Sequence, residues 1–206
     1  MQSIKNIIFD LGGVLLNLDI PKTTEEFEKL GAPQFKNLFG LGRAESFMKS
    51  YEVGSINDDE FVSDLQQLTG GKSREAVIGA WNAMLLDFPK ERIRLLQELR
   101  ERYRIYLFSN TNALHLTAFS QKFSATFNGA TLDSEFTKAW YSHLIHLRKP
   151  DVKAYEYILD DAGLIAGETV FIDDAMVNIE GARKAGLHGI HVEPGKTILD
   201  IDWNLS

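Results

Sequence analysis

The sequence predicts an α/β fold in which a parallel sheet carries an inserted, all-helical unit. Short β-branched and aromatic runs without a helical period occur near the N-terminus and again in the second half of the chain, where segments of helical period alternate with them. Between these two parts, residues 18–88 contain only helix-compatible segments. We therefore expect a core built from residues 1–17 and 89–206 and an insertion built from residues 18–88.

The first predicted strand ends at an acidic residue. Ile4, Ile7, Ile8 and Phe9 form a brief β-branched and aromatic run, as expected for a strand buried on both faces of a parallel sheet. Asp10 follows at the carboxyl end, which is where open α/β sheets bind ligands. Gly12 and Gly13 then allow the backbone to approach a small anion or a metal closely. Taken alone, these residues favour an Asx turn that closes the strand over a catalytic role.

The insertion is predicted to be a small helical bundle. Its apolar residues recur at spacings of three and four, and glycines separate the helical segments. Asn57 or Asp58 is a candidate N-cap, with Glu60 early in the same helix. The apolar stripes that include Phe61 and Trp81 are assigned to the interior of the bundle. The predicted helices cover residues 23–30, 44–51, 57–68 and 74–86.

Strand–helix alternation resumes after Pro89. Such alternation on both sides of a helical insertion favours a parallel sheet, because parallel neighbours need a crossover connection. Residues 124–138 have no clear period and are assigned as a connection. The predicted strands cover residues 104–108, 139–144, 169–172 and 189–192, and the predicted helices cover residues 90–102, a segment ending near 123, 152–162 and 178–185.

Composition excludes several classes of function. The 22 basic and 29 acidic residues give a net charge of −7, which disfavours binding to nucleic acid or to an anionic membrane through the overall field. The absence of cysteine excludes disulfides, thiolate chemistry and Cys-ligated zinc, so any metal would have oxygen or nitrogen ligands. No apolar stretch is long enough to span a bilayer. We expect a cytoplasmic protein, monomeric or homodimeric.

Polar residues gather where three predicted strands end. These are Asp10, the pair Ser109 and Asn110, and the pair Asp173 and Asp174. In a parallel sheet the carboxyl ends share one edge, so these residues would face a common site. Each has an ordinary structural explanation as a helix cap or as an acidic pair favoured by a helix dipole. Their joint occurrence, with Lys149 before Pro150, is more specific than any member alone.

This combination resembles the haloacid dehalogenase superfamily of phosphohydrolases. The motifs that carry the resemblance are FDLGGV at residues 9–14, LFSNTN at 107–112, RKP at 148–150 and FIDDAMVNIEGA at 171–182. The resemblance implies a Rossmann-like core, and the helical insertion is similar to that superfamily's C1-type cap. It further implies a Mg²⁺-dependent phosphatase acting on a small phosphorylated metabolite, with sugar phosphates as one candidate class.

The resemblance also implies roles for individual residues. Asp10 would be the nucleophile that forms a phosphoaspartyl intermediate. Ser109 would bind a phosphoryl oxygen with backbone support from Asn110, and Lys149 would neutralise charge on the nucleophile and on the phosphate. The chemistry requires such groups, because a phosphate monoester is surrounded by negative oxygens and a carboxylate approaches it only when cations and fixed donors cancel that charge.

The metal site implied by the resemblance holds one departure from the usual pattern. Asp174 would bind Mg²⁺ together with Asp10 and the backbone carbonyl of Gly12, while Asp173 would orient these ligands. Most phosphatases of the superfamily carry a second Asp, a general acid and base, at the position that Gly12 occupies here. His115, one turn into the helix after Ser109, is a candidate substitute or substrate contact, although its position favours a helix-surface or cap histidine.

Two other functions compete with the phosphatase. One is a metal-free 2-haloacid dehalogenase, which uses the same nucleophile; the paired Asp173 and Asp174 argue against it. The other is a catalytically weak phosphometabolite-binding protein, which only Gly12 supports. Substrate identity would depend on side chains of the insertion, for which residues 43–56 are candidates, with Arg43 and Glu52 as polar contacts. His143, His146, His188 and His191 are assigned structural roles.

Two further expectations concern the backbone. The bond between Lys149 and Pro150 is a candidate for cis geometry, because X–Pro is the common site of cis peptides. The two joins between core and insertion, near residues 15–20 and 86–90, are expected to let the insertion rotate and gate the site.

Overall fold

The structure is a computed structural model that describes residues 3–38 and 42–205, apart from the side chains of residues 37, 38 and 42–46. The described chain forms a parallel sheet with the strand order β3-β2-β1-β4-β5. The strands are β1 (Asn6–Phe9), β2 (Arg104–Ser109), β3 (Lys138–Tyr141), β4 (Thr169–Asp173) and β5 (His188–His191). The predicted α/β fold with a parallel sheet is confirmed.

The central strand of the sheet is the apolar run that precedes Asp10. Ile7, Ile8 and Phe9 are all fully buried. Ile7 and Phe9 pack into the apolar cluster on one face of the sheet, and Ile8 packs into the cluster on the other face. Because Phe9 is in register with residues of both β2 and β4, Asp10 lies between the carboxyl ends of two neighbouring strands.

Residues between β1 and the second strand form helices with their own apolar interior. The interior contains Phe27, Phe61 and Trp81, as the stripes predicted. Asn57 is the N-cap of its helix and forms a capping box with Glu60, which confirms one of the two predicted caps. The helices are α1 (Ile20–Lys29), α2 (Phe35–Leu38), α3 (Gly42–Glu52), α4 (Asp58–Leu68) and α5 (Arg74–Asn82).

Helices of the second half cover both faces of the sheet. Gly163, with φ of 61°, ends the helix Val152–Ala162 in the left-handed conformation that favours glycine. None of the helices in the described ranges combines the length and the apolarity needed to cross a membrane. The helices are α6 (Lys90–Leu99), α7 (Ala113–Thr126), α8 (Ser142–Ile145), α9 (Val152–Ala162) and α10 (Met176–Lys184), with short 3-10 turns at Leu132–Glu135, Ala166–Glu168 and Ile198–Asp200.

The helix predicted for residues 74–86 ends early, at Asn82. The residues that follow run antiparallel to the first join: Leu18 pairs with Leu85, and the Leu86 N–H donates to the Asn17 carbonyl at 3.0 Å. This backbone pairing satisfies groups that a longer helix would have used internally. The two joins are therefore hydrogen-bonded to each other, while the division of the chain at residues 18 and 88 remains a prediction.

Other predicted elements also have different bounds, and the helix predicted for residues 90–102 ends at Leu99. The strand predicted for residues 139–144 is Lys138–Tyr141, and the chain turns into α8 at Ser142. Helix α1 begins at Ile20 rather than at residue 23, with Pro21 in its first turn, where the missing N–H has no helical acceptor in any case.

Candidate active site

Asp10 and Asp173 share one buried cation. The Lys149 Nζ donates to Asp10 Oδ1 at 2.6 Å and to Asp173 Oδ2 at 2.8 Å. Burial raises the pKa of Asp10 to about 7 even though the Lys149 charge opposes that shift. Burial alone would lower the pKa of Lys149, but the two carboxylates outweigh it and raise the pKa above its usual value. Lys149 is therefore a fixed positive charge facing the carboxylates.

The backbone of Lys149 is held by the strand end next to it. Asn110 Nδ2 donates to the Lys149 carbonyl, and the Lys149 N–H donates to Asn110 Oδ1, both at 3.0 Å. The bond between Lys149 and Pro150 is cis, as predicted. The side chain of Asn110, which follows β2, thus positions the cation that faces the end of β1.

Asp173 and Asp174 complete an acidic group at the end of β4. Asp173 is fully buried, and its Oδ1 accepts from the Ala175 N–H at 2.8 Å and from Asn178 Nδ2 at 3.0 Å. Carboxylate oxygens of Asp10, Asp173 and Asp174 lie within 4.8 Å of one another. Such an all-oxygen set suits a hard cation like Mg²⁺.

The two glycines after Asp10 have different neighbours. Gly13 has a φ of 76°, and a Cβ on it would overlap Asp174 Oδ2. Only glycine therefore allows the chain to pass so close to that carboxylate. A Cβ on Gly12 would lie 2.6 Å from Leu18 Cδ1. An apolar side chain thus occupies the space beside the position where related phosphatases carry their second Asp.

Ser109, the last residue of β2, lines a cavity that reaches from the strand ends to the insertion. Ser109 is buried, and in the described part of the chain its hydroxyl has no protein hydrogen-bond partner. The cavity has a volume of about 410 Å³. Gly12, Ser109 and Asn110 lie at its core end, whereas Glu52 and Trp81 of the insertion line its other side.

His115 is a buried cavity residue rather than a surface or simple cap histidine. Its Nε2 is 3.2 Å from the Trp81 carbonyl, which can only accept, and its Nδ1 is 3.2 Å from Asn112 Nδ2. Burial lowers its pKa to about 4, so the ring is neutral at pH 7. Both ring nitrogens therefore have partners within the protein, which disfavours His115 as the replacement for the missing acid.

Glu52 and Arg43 are the two residues of the insertion that were predicted to contact the substrate, and the structure describes the side chain of only the first. The Arg148 Nε donates to Glu52 Oε2 at 2.6 Å, so Glu52 lines the cavity as half of an ion pair between insertion and core. The side chain of Arg43 lies outside the described part of the structure. Ser142 and His146 also contact this end of α3, by donating to the Glu52 carbonyl and by pairing with the Val53 carbonyl.

Three residues at the site were not predicted from the sequence to belong to it. Trp81 was assigned to the bundle interior, yet it also lines the cavity and stacks on His115 with ring centroids 4.8 Å apart. Arg148 carried no predicted role despite standing beside Lys149. Asn178 fixes Asp173, and its position five residues later, in the first turn of α10, was the available signal. His143, His146, His188 and His191 do not belong to the acidic group.

Comparisons with known proteins agree with this geometry. A model of haloacid dehalogenase-like hydrolases matches residues 4–186. A D-ribitol-5-phosphate phosphatase of Bacteroides thetaiotaomicron is 29% identical over 202 residues, covering 97% of this chain and 95% of that protein. A sesquiterpene phosphatase of Aspergillus oryzae is 27% identical over 192 residues, covering 92% and 90%. A crystal structure of a HAD family enzyme from Bacteroides thetaiotaomicron, in complex with magnesium and inorganic phosphate, has a TM-score of 0.87 at 32% identity and covers 98% of both chains.

Proposed function

Since this chain belongs to the haloacid dehalogenase-like hydrolases, we propose that it is a Mg²⁺-dependent phosphatase that hydrolyses a small phosphate monoester through a phosphoaspartyl intermediate. The observation that carries the proposal is the buried Lys149, whose Nζ contacts both Asp10 and Asp173 at the cavity end of the sheet. This arrangement keeps a carboxylate and a cation together where a phosphoryl group would enter.

In the proposed reaction Asp10 is the nucleophile. A carboxylate oxygen forms a bond to phosphorus while the bond from phosphorus to the alcohol oxygen breaks, and the alcohol leaves with its electron pair and takes a proton from water. Water then attacks the phosphorus of the acyl phosphate, so that inorganic phosphate leaves and the Asp10 carboxylate is restored. Lys149 and Ser109 would hold the phosphoryl oxygens throughout.

The donor set fits a magnesium ion. Asp10, Asp174 and the carbonyl of Gly12 are the proposed ligands, and Asp173, already hydrogen-bonded by Asn178, would orient them. When bound, the ion would supply positive charge that offsets the negative oxygens of carboxylate and phosphate. A metal-free dehalogenase would not need three carboxylates gathered within 4.8 Å, and this favours the phosphatase.

The comparisons leave the alcohol half of the substrate open. One relative is named for a pentitol phosphate and another for sesquiterpenes, so similar chains accept alcohols of very different polarity. A cytoplasmic location and a monomeric or homodimeric state remain expectations from the sequence.

Asp10→Asn tests the covalent mechanism. The amide is nearly isosteric but cannot attack phosphorus, so we expect phosphate release from p-nitrophenyl phosphate to fall by at least about 10⁴-fold with the thermal unfolding transition retained. Asp202→Asn, in the C-terminal segment, is the matched control and should behave as the parent protein. Retained activity in Asp10→Asn would exclude the phosphoaspartyl route, and activity that survives chelation of Mg²⁺ would exclude the metal requirement.

A further inference from the structure

The cavity beside the carboxylates has mainly apolar walls. It lies between the strand ends and α1, α3 and α5 of the insertion, and its volume is about 410 Å³. Hydrocarbon side chains come from both sides of it: Leu11, Leu16, Leu18, Ile20, Met48, Trp81, Met84, Leu85 and Phe119. Burying an apolar group against such walls is favourable, because water leaves both surfaces.

Three polar side chains in the walls, those of His115, Asn112 and Asn110, already have partners within the protein. Both ring nitrogens of His115 are in use, and Asn112 Oδ1 accepts from the His115 N–H at 3.0 Å and from Trp81 Nε1 at 3.4 Å. The Asn110 side chain is paired with the backbone of Lys149. These groups therefore offer little to the hydroxyls of a bound alcohol.

The charged pair in the cavity wall is also largely self-contained. Arg148 and Glu52 bind each other at 2.6 Å. Ser109 lies at the end nearest Asp10, where the phosphoryl group would sit. Lys49 and Thr111 are the remaining polar residues of the described wall. A polyol entering the rest of the cavity would lose hydrogen bonds to water and regain only part of them from the protein, which is unfavourable.

We propose that the substrate is the phosphate monoester of an apolar alcohol, whose hydrocarbon portion fills this cavity while its phosphoryl group lies against Ser109 and Asp10. The proposal rests on the phosphatase function proposed above and adds the chemistry of the alcohol. It distinguishes between the two kinds of alcohol that the relatives leave open.

A series of primary alkyl phosphates tests the proposal with the full chain and Mg²⁺. From ethyl to heptyl phosphate, kcat/KM should rise by about fourfold for each buried methylene until the cavity is full, since one methylene contributes about 0.8 kcal/mol. Pentyl phosphate should exceed ribitol 5-phosphate, which has the same carbon count and the better leaving group. A higher kcat/KM for pentyl phosphate could not result from its poorer leaving group. It would have to result from contacts between the pentyl chain and the apolar cavity walls.

Two exposed isoleucines provide a matched pair of variants. Ile20 is 51% exposed and lines the cavity, whereas Ile165 is 55% exposed and lies outside it. Ile20→Gln should lower the ratio of kcat/KM for hexyl phosphate to that for ribitol 5-phosphate by about threefold. Ile165→Gln should leave that ratio unchanged.

The possible outcomes separate this proposal from the general one. A flat alkyl series, or a preference for ribitol 5-phosphate, with p-nitrophenyl phosphate still hydrolysed, would overturn the apolar substrate and leave the phosphatase standing. No hydrolysis of any ester in the presence of Mg²⁺ would overturn both.

Discussion

Arg148 and Lys149 are neighbours in sequence, and each makes an ion pair of the same length. The Arg148 Nε lies 2.6 Å from Glu52 of the insertion, and the Lys149 Nζ lies 2.6 Å from Asp10 of the core. Their surroundings differ: the side chains of Arg148 and Glu52 are 30% and 27% exposed, whereas the Lys149 side chain is 1% exposed. Distance alone therefore does not rank the two pairs.

The buried pair of Lys149 and Asp10 is expected to stay formed, whereas the partly exposed pair of Arg148 and Glu52 can break in favour of water and salt ions. Water and salt screen a partly exposed pair, so its net contribution is small. A buried pair has given up its hydration, so removing one partner leaves an uncompensated charge. We infer that Lys149 is part of the fixed electrostatics of the chemistry, while the pair of Arg148 and Glu52 closes and opens the boundary between core and insertion.

Replacing each cation by methionine gives the most direct contrast. Lys149→Met should lower kcat by at least about 10³-fold and the free energy of unfolding by about 3 kcal/mol, because two buried carboxylates lose their shared cation. Arg148→Met should lower the free energy of unfolding by less than about 1 kcal/mol. Urea unfolding without metal measures the change in the free energy of unfolding, and steady-state phosphate release measures the change in kcat. Equal losses in the two variants would contradict the distinction drawn from burial.

The buried pair of Lys149 and Asp10 supplies charge but no proton to the departing alcohol. The rate should therefore depend on how readily that alcohol leaves without a proton. Lys149 keeps its proton because its pKa is raised, and Gly12 carries no acid. Losing a positioned acid typically costs a factor of about 10² to 10⁴. We expect kcat/KM to fall steeply as the pKa of the departing alcohol rises, so aryl and anomeric phosphates should outrun alkyl phosphates of comparable size.

Restoring the acid is best tested with two changes, because a Cβ on Gly12 would displace the end of the Leu18 side chain. Gly12→Asp combined with Leu18→Ala should flatten the dependence on the leaving group, provided that the variant still gains thermal stability from Mg²⁺. Leu18→Ala alone is the control and should keep the steep dependence. A parent series that is already flat, with chemistry rate-limiting, would mean that another residue donates the proton.

The raised pKa of Asp10 predicts how pH controls metal binding. Its folded-state pKa of about 7 exceeds the ordinary value of 3.8, so without metal the carboxylate makes folding less favourable as pH rises from about 4 to about 7. Mg²⁺ must displace that proton below about pH 7, so the stabilisation by Mg²⁺ held well above its Kd should shrink by up to about 1.4 kcal/mol for each unit by which the pH falls below about 7. Thermal unfolding with and without Mg²⁺ at pH 5.5 and 8 tests this, and Asp10→Asn should lose the dependence.

The exposed pair should give the smallest effect. Glu52→Gln should change kcat/KM by less than about fivefold, because the pair is partly solvated. The parent protein should respond to KCl between 0.05 and 1 M more strongly than the variant, since salt weakens only an intact pair. Identical salt dependence in the two proteins would show that this pair does not close the boundary.

The central strands β1 and β4 were predictable from sequence because they are buried on both faces, whereas the edge strand β5 is only partly buried and was predictable from its place in the strand–helix alternation. Residues 169–172 and 189–192 fall within one residue of β4 and β5. The ends of other elements depend on tertiary partners: Leu85 reads as the last turn of a helix, but its strand-like pairing with Leu18 is visible only in three dimensions. Helix α2 is too short to show a period.

The site was predictable where its residues follow strands. Asp10, Ser109 and Asp173 stand at the carboxyl ends of β1, β2 and β4, so local pattern and topology were sufficient to bring them together. The roles proposed for them stay predictions. His115 could not be assigned from sequence, because its pKa depends on burial beneath Trp81, a residue more than thirty positions away.

The hydrogen-bonded joins have a consequence for how such proteins diversify. The Asn17 N–H donates to the Asp87 carbonyl at 2.9 Å, and the Asn17 carbonyl accepts from the Leu86 N–H, so the two joins of the insertion meet at one point. A two-residue turn between these positions would close the same ladder as an ordinary hairpin. One genetic segment could thus be exchanged for another of any length without altering the strand order. We expect a chain trimmed to such a hairpin to keep its sheet and its carboxylates while its selectivity among alcohols is lost.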